Sequence, residues 1–315
     1  MNRSLCFGAV LWDIIGGKKH IGGAPLNVAA NLASLGWQSY MLSCVGDDAL
    51  GVQAAQALDQ LCIRQDFLGV NAQQPTGTSI VTLTASGTPS YVLDPKGAYN
   101  FITLDDEQLH RIAYIPFDVL CFGTFEQQGE VSRSTLYTLL DHCHFKDVFF
   151  DVNIRENFCP PDILRKSLSH ATILKINDEE APQICEILYA HSLPLKAFCE
   201  RISNDFHIPT ICITQGSRGC DVYANGVLEH IESQKVTVVD TVGAGDGFSA
   251  AFIATFKQTG DPFRAAHFGN VMGGYVAACE GAIPPANEHL CTLLELVQRR
   301  IPHHERRTNH PDNCT

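Results

Sequence analysis

Residues 240–248, DTVGAGDGF, place glycines and a carboxylate where a β-like run passes into an apolar helix. Gly243 and Gly245 allow backbone N–H groups to converge at the helix N-terminus, where unsatisfied amides and the helix dipole favour an anion. A carboxylate beside such a site is repulsive unless it has a task, and Asp246 could take the proton from an attacking hydroxyl. The segment therefore predicts phosphoryl transfer. An ordinary helix N-cap with loop glycines is the alternative.

A second glycine segment, GGAPLNVAANLASLG, begins at Gly22 and becomes a helix. Pro25 suits the first helical turn, and Asn27 then lies in that turn, facing Gly22 and Gly23. Such a loop lets a polar ligand approach the backbone closely, and Asn27 together with Asp13 can hydrogen-bond hydroxyl groups. We therefore expect a binding site for a hydroxylated ligand. A tight turn with a capping asparagine is the alternative.

The elements that must position these segments alternate between strands and helices. Apolar, strand-like runs occupy residues 5–10, 40–45, 119–122, 148–151, 173–176 and 210–214. Helical spacing separates most of them, at residues 26–35, 49–61, 130–140 and 179–188. Apolar strands that alternate with helices indicate a parallel sheet covered on both faces. We predict an α/β fold, a doubly wound, mainly parallel sheet flanked by helices, with a helical last third at residues 245–256, 262–279 and 288–299.

Residues 78–84 and 90–93 break this alternation, because they form two β-rich runs joined by a short turn without a helix. Two such strands do not join a parallel sheet easily. We therefore expect a separate β lid, built from about residues 11–22 and 77–101, over the strand ends where α/β sheets bind ligands. A structural edge hairpin is the alternative. Three apolar lid positions would allow two lids to pair in a homodimer, namely Ile80, Leu83 and Val92.

The 315-residue chain carries 34 acidic and 22 basic residues, and its net charge of −12 argues against nucleic acid as a partner. It has 45% hydrophobic residues but no run that indicates a membrane helix or a signal peptide. Its thirteen cysteines include no CxxC pair and lie in apolar runs, so we expect reduced core thiols in the cytoplasm. One domain over residues 1–301 and a disordered polar tail at 302–315 are expected.

The two glycine segments resemble the two signatures of the PfkB (ribokinase-like) family of sugar kinases, in matching order and separation. Three further motifs agree with the family. Residues 151–155 (DVNIR) resemble its DxNxR, residues 177–180 (NDEE) its NxxE, and residues 214–219 (TQGSRG) its TxGxxG. The resemblance covers residues 6–299 and implies a ribokinase-like fold and an ATP-dependent sugar kinase.

The resemblance also implies roles around the first glycine segment, residues 240–248. Asp246 resembles the catalytic base that contacts the acceptor hydroxyl. The amides of Gly243, Ala244 and Gly245 resemble the anion hole for the transferring phosphoryl group. Arg155 resembles an arginine that faces a phosphate or pairs with the lid, and a planar guanidinium suits a phosphate edge. A surface salt bridge is the alternative for Arg155.

The other motifs imply cofactor sites. Asn177 and Glu180 resemble residues that hold Mg²⁺ through its water shell, which suits a cation that keeps its waters. By residue pattern alone they indicate a helix cap and a solvent-facing glutamate. Asp240 and Val242 match a site for a monovalent cation such as K⁺, with residues 279–281 as its other half. The implied ATP-binding positions are Asn177, Thr214, Gly216, Gly219, Gly243, Gly245 and Asn270.

Within the family the chain looks most like fructokinases. Four positions would then hold the sugar, namely Asp13, Gly22, Gly23 and Asn27, next to Asp246. The chain departs from the pattern at Ala9, where many such sequences carry Glu in GExLxD, and at residues 96–98, where others have aromatic and acidic residues. The resemblance implies γ-phosphoryl transfer to a sugar hydroxyl, with fructose expected first. The alternative acceptors are ribose, 2-keto-3-deoxygluconate, a nucleoside or inositol. A non-catalytic sugar-binding regulator is the remote alternative to an enzyme.

Overall fold

The structure is a computed structural model that describes residues 1–15, 17–83, 89–155 and 158–285. Three predictions lie outside the described residues: the turn of the lid hairpin at 84–88, the helix at 288–299 and the tail at 302–315. The side chains of residues 15, 80–83 and 89–93 also lie outside the description. The pairing of two lids through Ile80, Leu83 and Val92 therefore stays a prediction.

Thirteen strands form in the described residues, and the apolar runs supply those of the core. The strands are β1 (Arg3–Phe7), β2 (Leu11–Ile15), β3 (Lys18–Gly22), β4 (Gln38–Gly46), β5 (Arg64–Asn71), β6 (Gly77–Leu83), β7 (Pro89–Leu93), β8 (Val119–Phe122), β9 (Asp147–Asp151), β10 (Ile173–Asn177), β11 (Thr210–Thr214), β12 (Cys220–Ala224) and β13 (Val227–Ile231).

Nine of these strands form one sheet, in the order β13-β12-β11-β10-β9-β8-β1-β4-β5. The pairs from β11 to β5 are parallel, whereas β12 and β13 are antiparallel strands at one edge. Strand β1 lies inside the sheet, with Cys6 in register with Met41 of β4 and Cys121 of β8. The predicted, mainly parallel sheet is confirmed.

Nine α-helices connect the strands of the described residues. They are α1 (Ala24–Ser34), α2 (Ala49–Gln60), α3 (Asp106–Tyr114), α4 (Glu130–His142), α5 (Pro161–His170), α6 (Glu180–Tyr189), α7 (Leu195–Phe206), α8 (Ala244–Thr259) and α9 (Pro262–Ala277). Within the described ranges, none of these helices combines the length and the apolar character that a membrane span requires.

The helices cover both faces of the main sheet, so that each face has its own hydrophobic core. Leu5 of β1 packs in one core with Leu136 of α4. The next residue, Cys6, packs in the other core with Leu26 of α1 and Phe252 of α8. Successive strand side chains point to opposite faces, which explains why the core strands are apolar throughout. The doubly wound arrangement is confirmed.

The lid is a separate sheet of four strands, in the order β3-β2-β6-β7. Strands β2 and β6 pair in parallel, and the two outer pairs are antiparallel. Strand β2 starts a few residues after β1 ends, which holds the lid at the carboxyl end of the main sheet. The lid strands end at Leu93, earlier than expected, because Ala98 and Tyr99 are fully buried in a 3-10 turn (Ala98–Phe101) that packs against β4.

Candidate active site

A cavity of about 310 Å³ lies where the parallel strands end and the lid begins. Five core strands contribute residues at or just beyond their carboxyl ends: Ala9, Gly123, Asn153, Asn177 and Thr214. The lid contributes Leu11, Asp13 and Ser79, and the N-terminal parts of α1 and α8 contribute residues of both glycine segments. The fold therefore brings the two segments to one cavity, at the edge where open α/β sheets bind ligands.

Helix α8 begins at the cavity with a turn that requires glycine. Gly243 is the N-cap with a φ of +77°, and a Cβ there would lie 2.3 Å from the Cβ of Ala282. No side chain caps the helix, so the N–H groups of its first turn have no side-chain acceptor. Gly243 and Gly245 line the cavity, whereas Ala244 does not, and its amide lies 3.3 Å from the Thr241 carbonyl. This helix N-terminus can bind an anion.

Asp246, in the first turn of α8, meets Asn27, in the first turn of α1. Asn27 Nδ2 donates a hydrogen bond to Asp246 Oδ2 at 2.8 Å. Asn27 Oδ1 is buried without a hydrogen-bond partner among the described residues. A hydroxyl of a bound ligand would satisfy this oxygen, because a buried acceptor without a donor is costly. The pair therefore presents an amide oxygen and a carboxylate to a hydroxylated ligand.

The environment of Asp246 suits a proton acceptor. Burial raises its pKa to about 6, and the nearby carboxylate of Asp151 also raises it. The hydrogen bond from Asn27 and the charges of Lys175 and Arg155 lower it. A carboxyl group with this pKa is ionised at neutral pH but more basic than an exposed aspartate, which favours general-base chemistry.

Asp13 of the lid faces the same cavity, and glycines make room for it. A Cβ on Gly22 would lie 2.2 Å from Asp13 Oδ2, and a Cβ on Gly23 would lie 2.2 Å from the carbonyl oxygen of Ala9. Burial raises the pKa of Asp13 to about 6. Asp13, Gly23 and Asn27 line the cavity together, whereas Gly22 lies against the Asp13 carboxylate but does not line the cavity.

A buried ion pair that the sequence analysis did not identify lies beside the α8 N-terminus. Lys175 Nζ contacts Asp151 Oδ1 at 3.0 Å and Oδ2 at 2.8 Å, and Ser249 Oγ lies 3.5 Å from Oδ2. A Cβ on Gly245 would lie 3.2 Å from the same Nζ. Burial lowers the pKa of Lys175, but Asp151 outweighs this effect and raises it above its usual value. Lys175 and Arg155 therefore bring two cations to the cavity.

Asn177 and Glu180 organise the start of α6. Asn177 Oδ1 accepts the N–H groups of Glu179 and Glu180, which is the predicted helix cap. Glu180 is buried, not solvent-facing, because its carboxylate accepts the N–H groups of Asn177 and Ile154, each at 2.8 Å. Asn177 lines the cavity, whereas Glu180 does not.

The residues near the cavity fit Mg²⁺ only as a hydrated ion. No group of three His, Cys, Asp or Glu side chains in the described ranges could hold a metal directly. Asp151 and Glu180 already have protein partners and would meet such an ion through water. This suits Mg²⁺, which keeps several waters and binds mainly to phosphates.

Asp240 joins the two loops in which the monovalent cation site was predicted. Its Oδ1 accepts the N–H of Val242 at 3.0 Å, and its Oδ2 accepts the N–H of Gly281 at 3.3 Å. Residues 240–242 and 279–281 are therefore held together next to the α8 N-terminus.

The predicted nucleotide-binding positions divide into two groups. Thr214 lines the cavity, whereas Gly216, Gly219 and Asn270 lie outside it. A Cβ on Gly219 would lie 2.1 Å from the carbonyl oxygen of Ile231, and Asn270 Nδ2 donates to that oxygen at 2.9 Å. Gly219 and Asn270 therefore fasten the end of β13 to the turn after β11 and to α9.

Known proteins resemble this chain over most of its length. Residues 8–289 match the model of the pfkB family carbohydrate kinases. A fructokinase of Klebsiella pneumoniae is 29% identical over 248 residues, which cover 76% of this chain and 78% of the relative. A fructokinase from Xylella fastidiosa, solved with bound ATP, has a TM-score of 0.81 at 20% identity over 94% of this chain and 98% of that one.

A further solved structure is aminoimidazole riboside kinase from Salmonella enterica, complexed with aminoimidazole riboside and an ATP analogue. It has a TM-score of 0.78 at 22% identity over 93% of this chain and 100% of that one. These likenesses establish a ribokinase-like fold. The match to the family model begins directly after β1 and covers the other strands, the lid and both glycine segments. The chain therefore belongs to the pfkB family of carbohydrate kinases.

Proposed function

We propose that this carbohydrate kinase transfers the γ-phosphoryl group of ATP to a hydroxyl of fructose. The observation that carries the proposal is the hydrogen bond from Asn27 to Asp246, which joins two glycine segments 219 residues apart. This contact holds the Asn27 amide and the Asp246 carboxylate together at the N-terminus of α8. The similarity to fructokinases of Klebsiella pneumoniae and Xylella fastidiosa supports fructose as the acceptor.

The proposed reaction is an in-line displacement at the γ-phosphorus. A sugar hydroxyl held by Asp13 and Asn27 gives its proton to Asp246 while its oxygen bonds to phosphorus. The bond from phosphorus to the bridging oxygen breaks, and ADP leaves. The α8 N-terminus, with the amides of Gly243 and Gly245, and the charges of Lys175 and Arg155 would offset the negative charge on the phosphoryl oxygens.

We propose Mg²⁺ and K⁺ as the accompanying cations. Mg²⁺ would supply charge neutralisation on the phosphates, and Asn177 and Glu180 would hold its water shell. Asp240, Val242 and residues 279–281 would hold K⁺. The ATP-binding side of the cavity would include Thr214, Gly216, Gly219 and Asn270. Gly219 and Asn270 would act by holding the loops of that side in place.

The lid and the cysteines support two further parts of the proposal. The lid carries Asp13 into the cavity, so its closure over the sugar would exclude water and limit ATP hydrolysis. The eleven cysteines within the described ranges are free thiols, and most are buried. This supports a reducing cytoplasmic location. A homodimer that pairs through the lids remains part of the proposal.

A ribosyl compound is the second candidate acceptor. The structural likeness to aminoimidazole riboside kinase favours it, because that protein was solved with a riboside in a fold that matches 93% of this chain. A pocket with Asp13 and Asn27 can bind the hydroxyls of either acceptor.

A panel of acceptors distinguishes fructose from a ribosyl compound as the substrate. ADP release with Mg-ATP is measured for fructose, ribose, 2-keto-3-deoxygluconate, adenosine and inositol, without acceptor as the blank. We expect kcat/KM for fructose to exceed every other value at least tenfold. A higher value for adenosine or ribose would replace fructose and keep the mechanism. No turnover above the blank would contradict the proposal.

The pKa of Asp246 predicts the acid limb of the pH profile. Because protonated Asp246 cannot accept a proton, we expect kcat/KM to fall at least about tenfold per pH unit below about 6. Asp13 has a similar pKa and would steepen the same limb. Circular dichroism at each pH controls for acid unfolding. A level profile down to about pH 5 in folded protein would remove Asp246 from the role of base.

A further inference from the structure

Glu126 is a buried carboxylate in the cavity wall to which the mechanism gives no role. It lies in a 3-10 turn (Phe125–Gln128) that follows β8, and it is 3% exposed. It lines the same cavity as Asp13 and Asn27. Its Oε1 accepts the N–H of Ala9 at 3.0 Å, and its own N–H also hydrogen-bonds the carboxylate.

Glu126 lies next to the second glycine segment, close to Pro25. A Cβ on Gly8 would lie 2.5 Å from Glu126 Cδ and 2.6 Å from Pro25 Cγ. The carboxylate therefore fits between the end of β1 and the first turn of α1. Gly8 makes this approach possible because it has no side chain. This is the sugar side of the cavity in the proposed function.

Glu126 lacks the partners that a buried carboxylate usually has. No lysine or arginine of the described ranges forms an ion pair with it. Burial raises its pKa to about 7, and the like charges of Asp151 and Asp246 also raise it. Backbone N–H groups alone leave acceptor capacity on the carboxylate. An arrangement this costly is explained if a ligand supplies the missing donor.

Ala9 adjoins Glu126 directly, because its N–H donates to Glu126 Oε1. Ala9 lines the same cavity, but its methyl group cannot bind a hydroxyl. At this corner of the cavity the carboxylate therefore comes from the turn after β8.

We propose that Glu126 binds the acceptor directly, by accepting a hydrogen bond from one hydroxyl of a polyhydroxylated substrate. The inference rests on the proposed function, because it assumes that the acceptor occupies this end of the cavity. It makes Glu126 a specificity-determining residue for the acceptor and not for ATP.

The test compares Glu126→Ala and Glu126→Gln with Glu130→Gln, an exposed glutamate at the start of α4. Loss of a hydrogen bond to a charged group predicts a KM for the acceptor that is about 10- to 100-fold higher in both Glu126 variants. We expect kcat and the KM for Mg-ATP to stay within about threefold, and Glu130→Gln to match the wild type. An unchanged acceptor KM in both Glu126 variants would overturn the proposal.

Mono-deoxy analogues of the acceptor identify the hydroxyl. One analogue should bind equally to the wild type and Glu126→Ala, because it lacks the group that Glu126 recognises. A uniform loss across all analogues would indicate a merely structural role and would overturn the proposal. If Glu126→Ala does not fold, Glu126→Gln carries the test, since its amide oxygen can still accept the Ala9 N–H.

Failure of the proposed function is recognised separately, because the wild type would then show no turnover with fructose. The comparison is in that case made by calorimetric binding of the best acceptor in the panel.

Discussion

Asp246→Asn should lose most turnover while it keeps both substrates bound. The asparagine has the same shape and can still accept the hydrogen bond from Asn27, but it cannot take a proton from the sugar hydroxyl. General-base catalysis contributes about 100- to 10,000-fold, so we expect kcat to fall by that factor. The dissociation constants for sugar and Mg-ATP, measured by calorimetry, should change less than about threefold.

The loss should not come from unfolding. Burial raises the pKa of Asp246, so the ionised form is penalised in the folded state, and a neutral replacement should leave stability at neutral pH unchanged or higher. Asp162→Asn is the matched control, because Asp162 is an exposed carboxylate in the first turn of α5. Full turnover in folded Asp246→Asn would show that another group is the base.

Gly245→Ala should block the anion site without harming the fold. The added Cβ would stand 3.2 Å from Lys175 Nζ, in space that a phosphoryl oxygen would occupy. Loss of one anion-hole contact costs on the order of 100- to 1,000-fold in kcat, and we expect a decrease of similar size. Alanine is favoured over glycine in a helix by about 0.5–1 kcal/mol, so the melting temperature should not decrease.

Gly69→Ala is the control for this substitution. Gly69 lies on β5 at the far edge of the main sheet, and a Cβ there would make ordinary contacts of 3.6 Å. Its kcat should equal that of the wild type. If Gly245→Ala turned over as fast as Gly69→Ala, the α8 N-terminus would not hold the transferring group.

The core of the fold could be predicted from the sequence because its signals are local. Strands buried on both faces are apolar throughout. The lid hairpin is recognisable because it breaks the alternation of strands and helices. Other local signals were present but were missed. Asn225 and Gly226, both with positive φ, form the turn between β12 and β13, and this dipeptide is a strong hairpin signal. Asp105 and Gln108 form a capping box that starts α3.

The site could be predicted only in part, because some of its features depend on contacts between distant segments. The glycines around Asp246 and Asn27 are recognisable in the sequence, but their hydrogen bond across the cavity is not. The sequence analysis did not identify Lys175, which lies within the apolar strand β10. A single lysine in a buried strand needs a buried partner of opposite charge, which here is Asp151. The residues around Glu126 in the sequence do not indicate its role. The free-energy cost of its carboxylate arises from burial against the end of β1, which is a distant segment.

The most direct test of the account is the product formed by the wild-type protein. Phosphorus NMR follows the reaction of Mg-ATP with fructose, and the account predicts one sugar phosphate for each ADP released. Almost no inorganic phosphate should form, because the lid would exclude water from the transferring group. ADP and inorganic phosphate in equal amounts without sugar phosphate, or no reaction with any acceptor of the panel, would contradict it.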